Sequence, residues 1–228
     1  MTKHFERQIA KLNVAVLDLG KQVERTVEDA IEAIEQRNVD LARKVIDGDR
    51  RIDLREVDLE EECLQTLALH QPVAADLRFL ISVVKINGEL ERIADLAVNL
   101  AERALHLETD PADLPLDLQD ESLRVRTMVQ ESLKALVGGD VDLAEHVRQS
   151  DDVVDRIHRE FYRQIKRRIQ EVPAETGRLI DFLSISRQLE RIADHAVNIA
   201  EDVIYMMTGE IRRHQPEMPT PATGKRRG

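Results

Sequence analysis

Apolar residues keep to one face of a helix along most of this chain. Leu12, Val16, Leu19, Val23, Val27, Ala30 and Ile34 form one stripe at helical spacing, and Leu179, Leu183, Ser186, Leu189 and Ala193 continue another. Helix breakers are sparse. Before the C-terminal tail, proline occurs only at Pro72, Pro111, Pro115 and Pro173, so residues 1–71, 116–172 and 174–215 can run on as helix. The pattern predicts six helices, at about 5–36, 39–70, 74–107, 117–137, 141–170 and 175–210. A helix of ~32 residues is about 48 Å long, so these elements are rods. The only linker-like interruption between halves is at 109–116. The tail, 214–228, is rich in Pro, Thr and Gly with a basic end, and is expected to be disordered.

The rods come as two copies of one unit. Residues 90–102 are LERIADLAVNLAE and residues 189–201 are LERIADHAVNIAE, identical at 11 of 13 positions with an offset of 99. Upstream, VDLARKVIDGDRRID (39–53) aligns with VDLAEHVRQSDDVVD (141–155) at an offset of 102. The same offset sets Val27, Ala33 and Ile34 over Val129, Ala135 and Leu136. The expected fold is all-α: two tandem three-helix bundles, 1–108 and 117–213, related by a pseudo-two-fold axis.

Composition narrows the function. Among 228 residues, 33 Lys and Arg face 44 Asp and Glu, a formal charge of −11, and aromatics reach only 3%. Few aromatics with abundant Ala, Leu, Glu and Arg favour helices over a sheet. An acidic chain lacks the basic surface that nucleic acid requires. Cys63 is the sole cysteine, which rules out an intrachain disulfide and a thiolate metal site; in a helical stretch it is a small core residue. The first 25 residues lack the apolar core of a signal peptide. No apolar run approaches the ~18 residues of a membrane span, so a cytoplasmic location is expected.

Each copy carries two acidic pairs at i, i+4: Asp49/Asp53 and Glu91/Asp95, then Asp151/Asp155 and Glu190/Asp194. This spacing puts both carboxylates on one helix face, where like charges cost roughly 0.2–0.5 kcal/mol per pair. At about 100° per residue, Glu91, Asp95, Asn99 and Glu102 lie in one polar stripe, with Ile93, Ala97 and Leu100 opposite. Glu190, Asp194, Asn198 and Glu201 repeat it. On the partner helix Asp49, Asp53, Glu56 and Glu60 share a face, and the copy has Asp151, Asp155, His158 and Tyr162. Two compensations are open. A cation such as Mg²⁺, Ca²⁺, Mn²⁺ or iron suits carboxylate oxygens; alternatively the stripes are solvated faces neutralised by Arg50, Arg92 and Arg191. If a cation binds, Glu91 and Asp95 should lie beside Asp49 and Asp53, with the second-copy acids arranged likewise. His158 and His195 are weaker candidates, and His70, just before Pro72, only ends a helix.

The doubled LERIAD motif, with the HQPVAADLR segment at 70–78, resembles the PhoU family of phosphate-signalling regulators over about residues 5–210. The resemblance implies a pair of three-helix bundles whose acidic E/D-x-x-x-D motifs hold multinuclear metal clusters, with Asp49, Asp53, Glu91, Asp95, Asp151, Asp155, Glu190 and Asp194 as ligands. It also implies a homodimer that partners the ATPase subunit of a phosphate ABC transporter and a sensor histidine kinase. Such a protein is a non-enzymatic negative regulator of phosphate uptake and phosphate-starvation signalling. The second copy departs from the pattern: VPAETGR (172–178) replaces QPVAADLR, which leaves Asp76 and Arg78 without counterparts, and His158 replaces Glu56. Two other functions compete. A structural helical spacer would show no metal response. A ferritin-like di-metal oxidase needs Glu and Glu-x-x-His facing a bundle interior, whereas here only Asp155-x-x-His158 comes near that spacing.

Overall fold

In a computed structural model of the chain, which describes residues 3–107 and 114–212, the elements are six long helices and one short 3₁₀ turn. They run α1 Lys3–Gln36, α2 Val39–His70, α3 Ala74–His106, α4 Leu116–Gly138, α5 Val141–Glu171 and α6 Thr176–Thr208. Most of the linker expected at 109–116, and the whole tail at 214–228, lie outside the described residues. No helix among those described is long and apolar enough to cross a membrane.

Helix boundaries follow local chemistry. Asn38 and Asp140, equivalent in the repeat, each cap a helix start by accepting a hydrogen bond at 3.0 Å, from the N–H of Leu41 and of Leu143. At the end of α2, Gln71 turns left-handed at φ 44° and returns its N–H to Leu67 O, and Pro72 bars continuation. His70 is the last residue of α2. Helix α6 stops at Thr208 rather than 210 because Gly209 is left-handed at φ 79°. Arg78 lies against that glycine, so a cation sits at the negative end of α6.

The six helices form a four-helix centre with two outriggers. Helices α1, α3, α6 and α4 contact one another in a ring, and the α3–α6 seam is the most extensive contact in the molecule. Helix α2 packs on α1 and α3, and α5 on α4 and α6. Across the seam Lys85 meets Asp202, Glu89 meets His195 and Arg103 meets Asp181; one number falls as the other rises, so α3 and α6 are antiparallel. On the opposite side Gln130 Nε2 donates to Glu28 Oε1 at 2.9 Å. These two residues are repeat equivalents, so the pseudo-two-fold axis passes between them.

The core matches the predicted stripes. Leu12, Val16, Leu19, Val23 and Val27 are buried, as are Leu90, Ile93, Ala97 and Leu100 with their equivalents Leu189, Ile192, Ala196 and Ile199. Burying each Leu or Ile contributes roughly 1.5–3 kcal/mol. Exposed ion pairs such as Lys11–Glu62 contribute about 0–1 kcal/mol, so apolar packing decides stability. Ala94, Ala97, Ala101 and Ala104 are all buried, which lets the backbones approach closely.

Candidate functional site

Two grooves, one in each copy, collect the acidic pairs. In the first, α2 presents Asp49 and Asp53 and α3 presents Glu91 and Asp95. One oxygen each of Asp49, Asp53 and Asp95 can be chosen so that all three lie within 4.8 Å of one another. Glu91 stands outside that group of three, half-buried. Asp53 and Asp95 are exposed, while Asp49 is half-buried and its Oδ1 is shut from solvent without a hydrogen-bond partner. Burial pushes the Asp49 carboxyl up, and the charges of Asp53 and Asp95 add to the rise. Glu91 rises for like reasons, burial first and then Asp95 and Glu56. Three converging carboxylates, one with an orphaned oxygen, fit a hard cation.

The second groove has matching acids on α5 and α6 in a different arrangement. Among the described residues, no three acids or histidines there bring their ligand atoms as close as those of the first. Asp151, Asp155 and Glu190 are half-buried and Asp194 is exposed. Asp151 is pushed up to about 7, by burial first and then by Asp194, Asp155, Asp152 and Glu190. Burial also raises Glu190 and Asp194, with Arg187 and Arg191 opposing at Glu190 and His195 and Arg191 opposing at Asp194. A groove of about 510 Å³ runs beside them, lined in part by His158, Tyr162, Ile180, Leu183, Arg187 and Glu190.

Behind these grooves the copies differ most. In the first, Asn87 is buried and its Nδ2 donates to Glu56, at 2.8 Å to the backbone O and 3.1 Å to Oε1. The equivalent pair in the second is Ser186 and His158, with Oγ and Nδ1 at 2.7 Å. Glu121 lies fully buried at the position that Leu19 fills in the first copy, and its polar neighbours are the Ser186 hydroxyl and the His158 imidazole. Its Oε1 is 4.0 Å from His158 Nδ1. Burial pushes Glu121 up to about 8; the Ser186 hydroxyl pulls it down, and Glu190 and Asp117 push it further up. Burial lowers His158, so its imidazole is neutral at pH 7. Serine, histidine and glutamate together invite comparison with a hydrolase triad. In a triad, however, serine and acid engage opposite ring nitrogens, and here both face Nδ1.

Sequence reasoning overlooked Glu121, although a carboxylate aligned on Leu19 in a buried stripe was a usable signal. It also left His195 and Asn198 undirected. Both face the seam, donating to Glu89 Oε2 at 2.6 and 3.0 Å. Burial works against Glu89, yet those hydrogen bonds, with His195 and Arg92 nearby, hold it below its ordinary value. Glu201 pairs with Arg148 at 3.3 Å. Burial pushes the Cys63 thiol up to about 12, which makes it inert.

The PhoU domain family model matches residues 16–104 and again residues 118–203, one match in each bundle. The chain belongs to the PhoU family. Its relatives include the phosphate-specific transport system accessory protein PhoU homolog 1 of Thermotoga maritima, 36% identical over 91% of this chain and 90% of that protein. The PhoU homolog of Aquifex aeolicus is 38% identical over 92% of this chain and 95% of that protein. Among solved structures, PhoU from Pseudomonas aeruginosa superposes with a TM-score of 0.87 at 37% identity, covering 90% of this chain and all (100%) of that one. The phosphate transport system regulatory protein PhoU of Streptococcus pneumoniae gives 0.81 at 27% identity, covering 91% and 98%. This PhoU-family chain therefore shares the doubled fold of proteins named as accessory and regulatory.

Proposed function

We propose that this protein is a non-enzymatic cytoplasmic regulator that restrains phosphate uptake and phosphate-starvation signalling. It docks on the ATPase subunit of a phosphate ABC transporter and on a sensor histidine kinase. The observation that carries this reading is family membership across both bundles, with relatives named as phosphate-specific transport accessory proteins aligned over nine-tenths of the chain. Restraint requires only that the protein prefer the inactive state of each partner. The charge of −11 suits partners with basic docking surfaces, and such contacts weaken as salt rises. Leu54, Val57 and Leu64, exposed along α2, add apolar area for docking. Deleting the gene should raise phosphate uptake and switch on starvation genes in phosphate-rich medium. A strain without a second copy that keeps normal uptake and repression would leave a helical spacer.

The same reading includes cations on the acidic grooves and a homodimer in solution. Asp49, Asp53, Glu91 and Asp95 would hold a cation in the first copy, and Asp151, Asp155, Glu190 and Asp194 in the second. The converging oxygens of Asp49, Asp53 and Asp95 support the first of these. A cation bound only by the folded state raises stability by mass action. Changing Asp95 and Asp194 to Asn should therefore abolish thermal stabilisation by Mn²⁺ and leave the metal-free fold intact; an unchanged response would make these stripes solvated faces. Sedimentation analysis tests the dimer.

A further inference from the structure

We propose that the outer face of α5, with the adjoining edge of α6, is a docking surface for a bilayer rich in anionic phospholipid. The inference goes beyond the regulatory reading and does not depend on it. Arg156, Arg159, Arg163, Lys166 and Arg167 are all exposed on α5. At about 100° per residue they fall within about 100° of one another, opposite the buried Val154, Phe161 and Ile165. From Arg156 to Arg167 the stripe is about 16 Å long. Arg187 and Arg191, also exposed, continue it across the α5–α6 groove. Tyr162 and Ile180 line that groove, 49% and 54% exposed.

The first copy shows that packing does not require these charges. Leu54, Val57, Glu61, Leu64 and Gln65 occupy the α5 positions there, and Gly88 and Arg92 those of α6. In the second copy the seven cations face four acids on or beside the stripe, Asp155, Glu160, Glu171 and Glu190, which leaves +3 in a chain of −11. At the same eleven positions the first copy has one cation, Arg92, against four acids, Asp53, Asp58, Glu61 and Glu91, which leaves −3. Arg159, Arg163 and Arg167 pair with Asp155, Glu160 and Glu171 yet stay 62%, 70% and 74% exposed, so these contacts are weak and replaceable.

Shape selects the partner. The stripe is convex and lies on the outer helix of its bundle. A protein partner needs an apolar centre to its interface, and here only Tyr162 and Ile180 could supply one. A nucleic acid duplex would run past the stripe onto Asp152 and Glu171. A planar anionic surface needs only the charges, each strengthening binding by about fivefold, and accepts Tyr162 and Ile180 at its interface. The acidic α2 is separated from α5 by the four-helix centre, farther than the Debye length of about 8 Å, so it does not oppose the contact.

The test is co-sedimentation of the full chain with vesicles of phosphatidylcholine alone or mixed with phosphatidylglycerol. Wild-type protein should pellet with the mixed vesicles at low salt, leave them as salt rises, and ignore phosphatidylcholine alone. Arg159→Gln, Arg163→Gln, Lys166→Gln should weaken that binding by about 100-fold. A triple variant of equal charge in the first bundle, Lys11→Gln, Arg43→Gln, Lys44→Gln, should bind as wild type does. If the α5 triple variant fails to fold, Arg163→Gln alone should show a loss of about fivefold. Wild-type protein that ignores the mixed vesicles would overturn the proposal, whether or not it takes up duplex DNA or polyglutamate. Equal losses in the two triple variants would overturn it too, because net charge and not this face would then govern binding.

Discussion

At three equivalent positions the first bundle holds Leu19, Asn87 and Glu56, and the second holds Glu121, Ser186 and His158. At the rim Glu60 is exchanged for Tyr162 and Gly88 for Arg187. The helices, the Asn38 and Asp140 caps and the packing of each outer helix are alike, so backbone architecture does not set the chemistry of either groove. In the first copy three carboxylates converge over a buried asparagine and a leucine. In the second they do not converge so closely, and they stand beside a buried carboxyl, an imidazole and two arginines. Duplication kept the frame and let the electrostatics drift, which makes each copy a natural control for the other.

Exchanging the interior residue breaks the comparison most severely. Leu19→Glu buries a carboxyl in a bundle with no serine–histidine pair at the equivalent positions, and should cost about 3–5 kcal/mol. Glu121→Leu should instead stabilise the protein, by about 1–3 kcal/mol at neutral pH, because it removes an ionisable group from an apolar stripe. Urea denaturation of both variants measures the asymmetry. Equal and opposite changes would mean that Ser186 and His158 do nothing for Glu121.

The pH dependence should be smaller but also asymmetric. Asp151 ionises near 7 in the folded protein against an ordinary 3.8, and Glu121 near 8 against 4.5. The folded state therefore holds protons that the unfolded chain has released. Their contribution is full below about 4 and declines as pH rises to about 8. Glu89 runs the other way: its contribution is present above its ordinary 4.5 and is lost in acid. Melting temperatures of metal-free protein between pH 4 and 8 should fall, and Asp151→Asn should flatten that slope more than Asp49→Asn does.

The left-handed turn after the first helix of each copy gives the smallest effects. The second copy uses Gly139 at φ 59°, where a Cβ would lie 2.8 Å from Met207 Cε. The first uses Arg37 at φ 54°, whose Nη1 donates to Leu107 O at 2.9 Å. Gly139→Ala should cost roughly 1 kcal/mol, mostly as backbone strain. Arg37→Gly should stay within about 0.5 kcal/mol of wild type, since relief of strain offsets the lost hydrogen bond. Thermal melts resolve the two.

What was legible in the sequence was whatever repeats. Helical periodicity, sparse proline and the doubled LERIAD motif gave the six helices, whereas the Asn38 and Asp140 caps emerged only from the structure. The end of α6 came earlier than expected, because a left-handed glycine stops a helix that its neighbours would continue. The acidic pairs were visible as pairs, since i, i+4 spacing is local. Which carboxylates converge across two helices depends on axial register and rotamers, so the grouping of Asp49, Asp53 and Asp95 without Glu91 could not be read from one helix at a time. Glu121 was missed because attention to repeated residues hides the positions where the copies disagree.

The hydrogen bond between Gln130 and Glu28 shows what joining the copies in one chain permits. In a symmetric dimer a residue on the axis meets itself, so a glutamate there would face a glutamate and any change would be made twice. Covalent fusion removes that obligation. One partner can become an amide that donates while the other remains the acceptor, and a repulsive contact becomes an attractive one through a single substitution. The same freedom extends off the axis, where one half can retain the ancestral duty while the other acquires a different ligand.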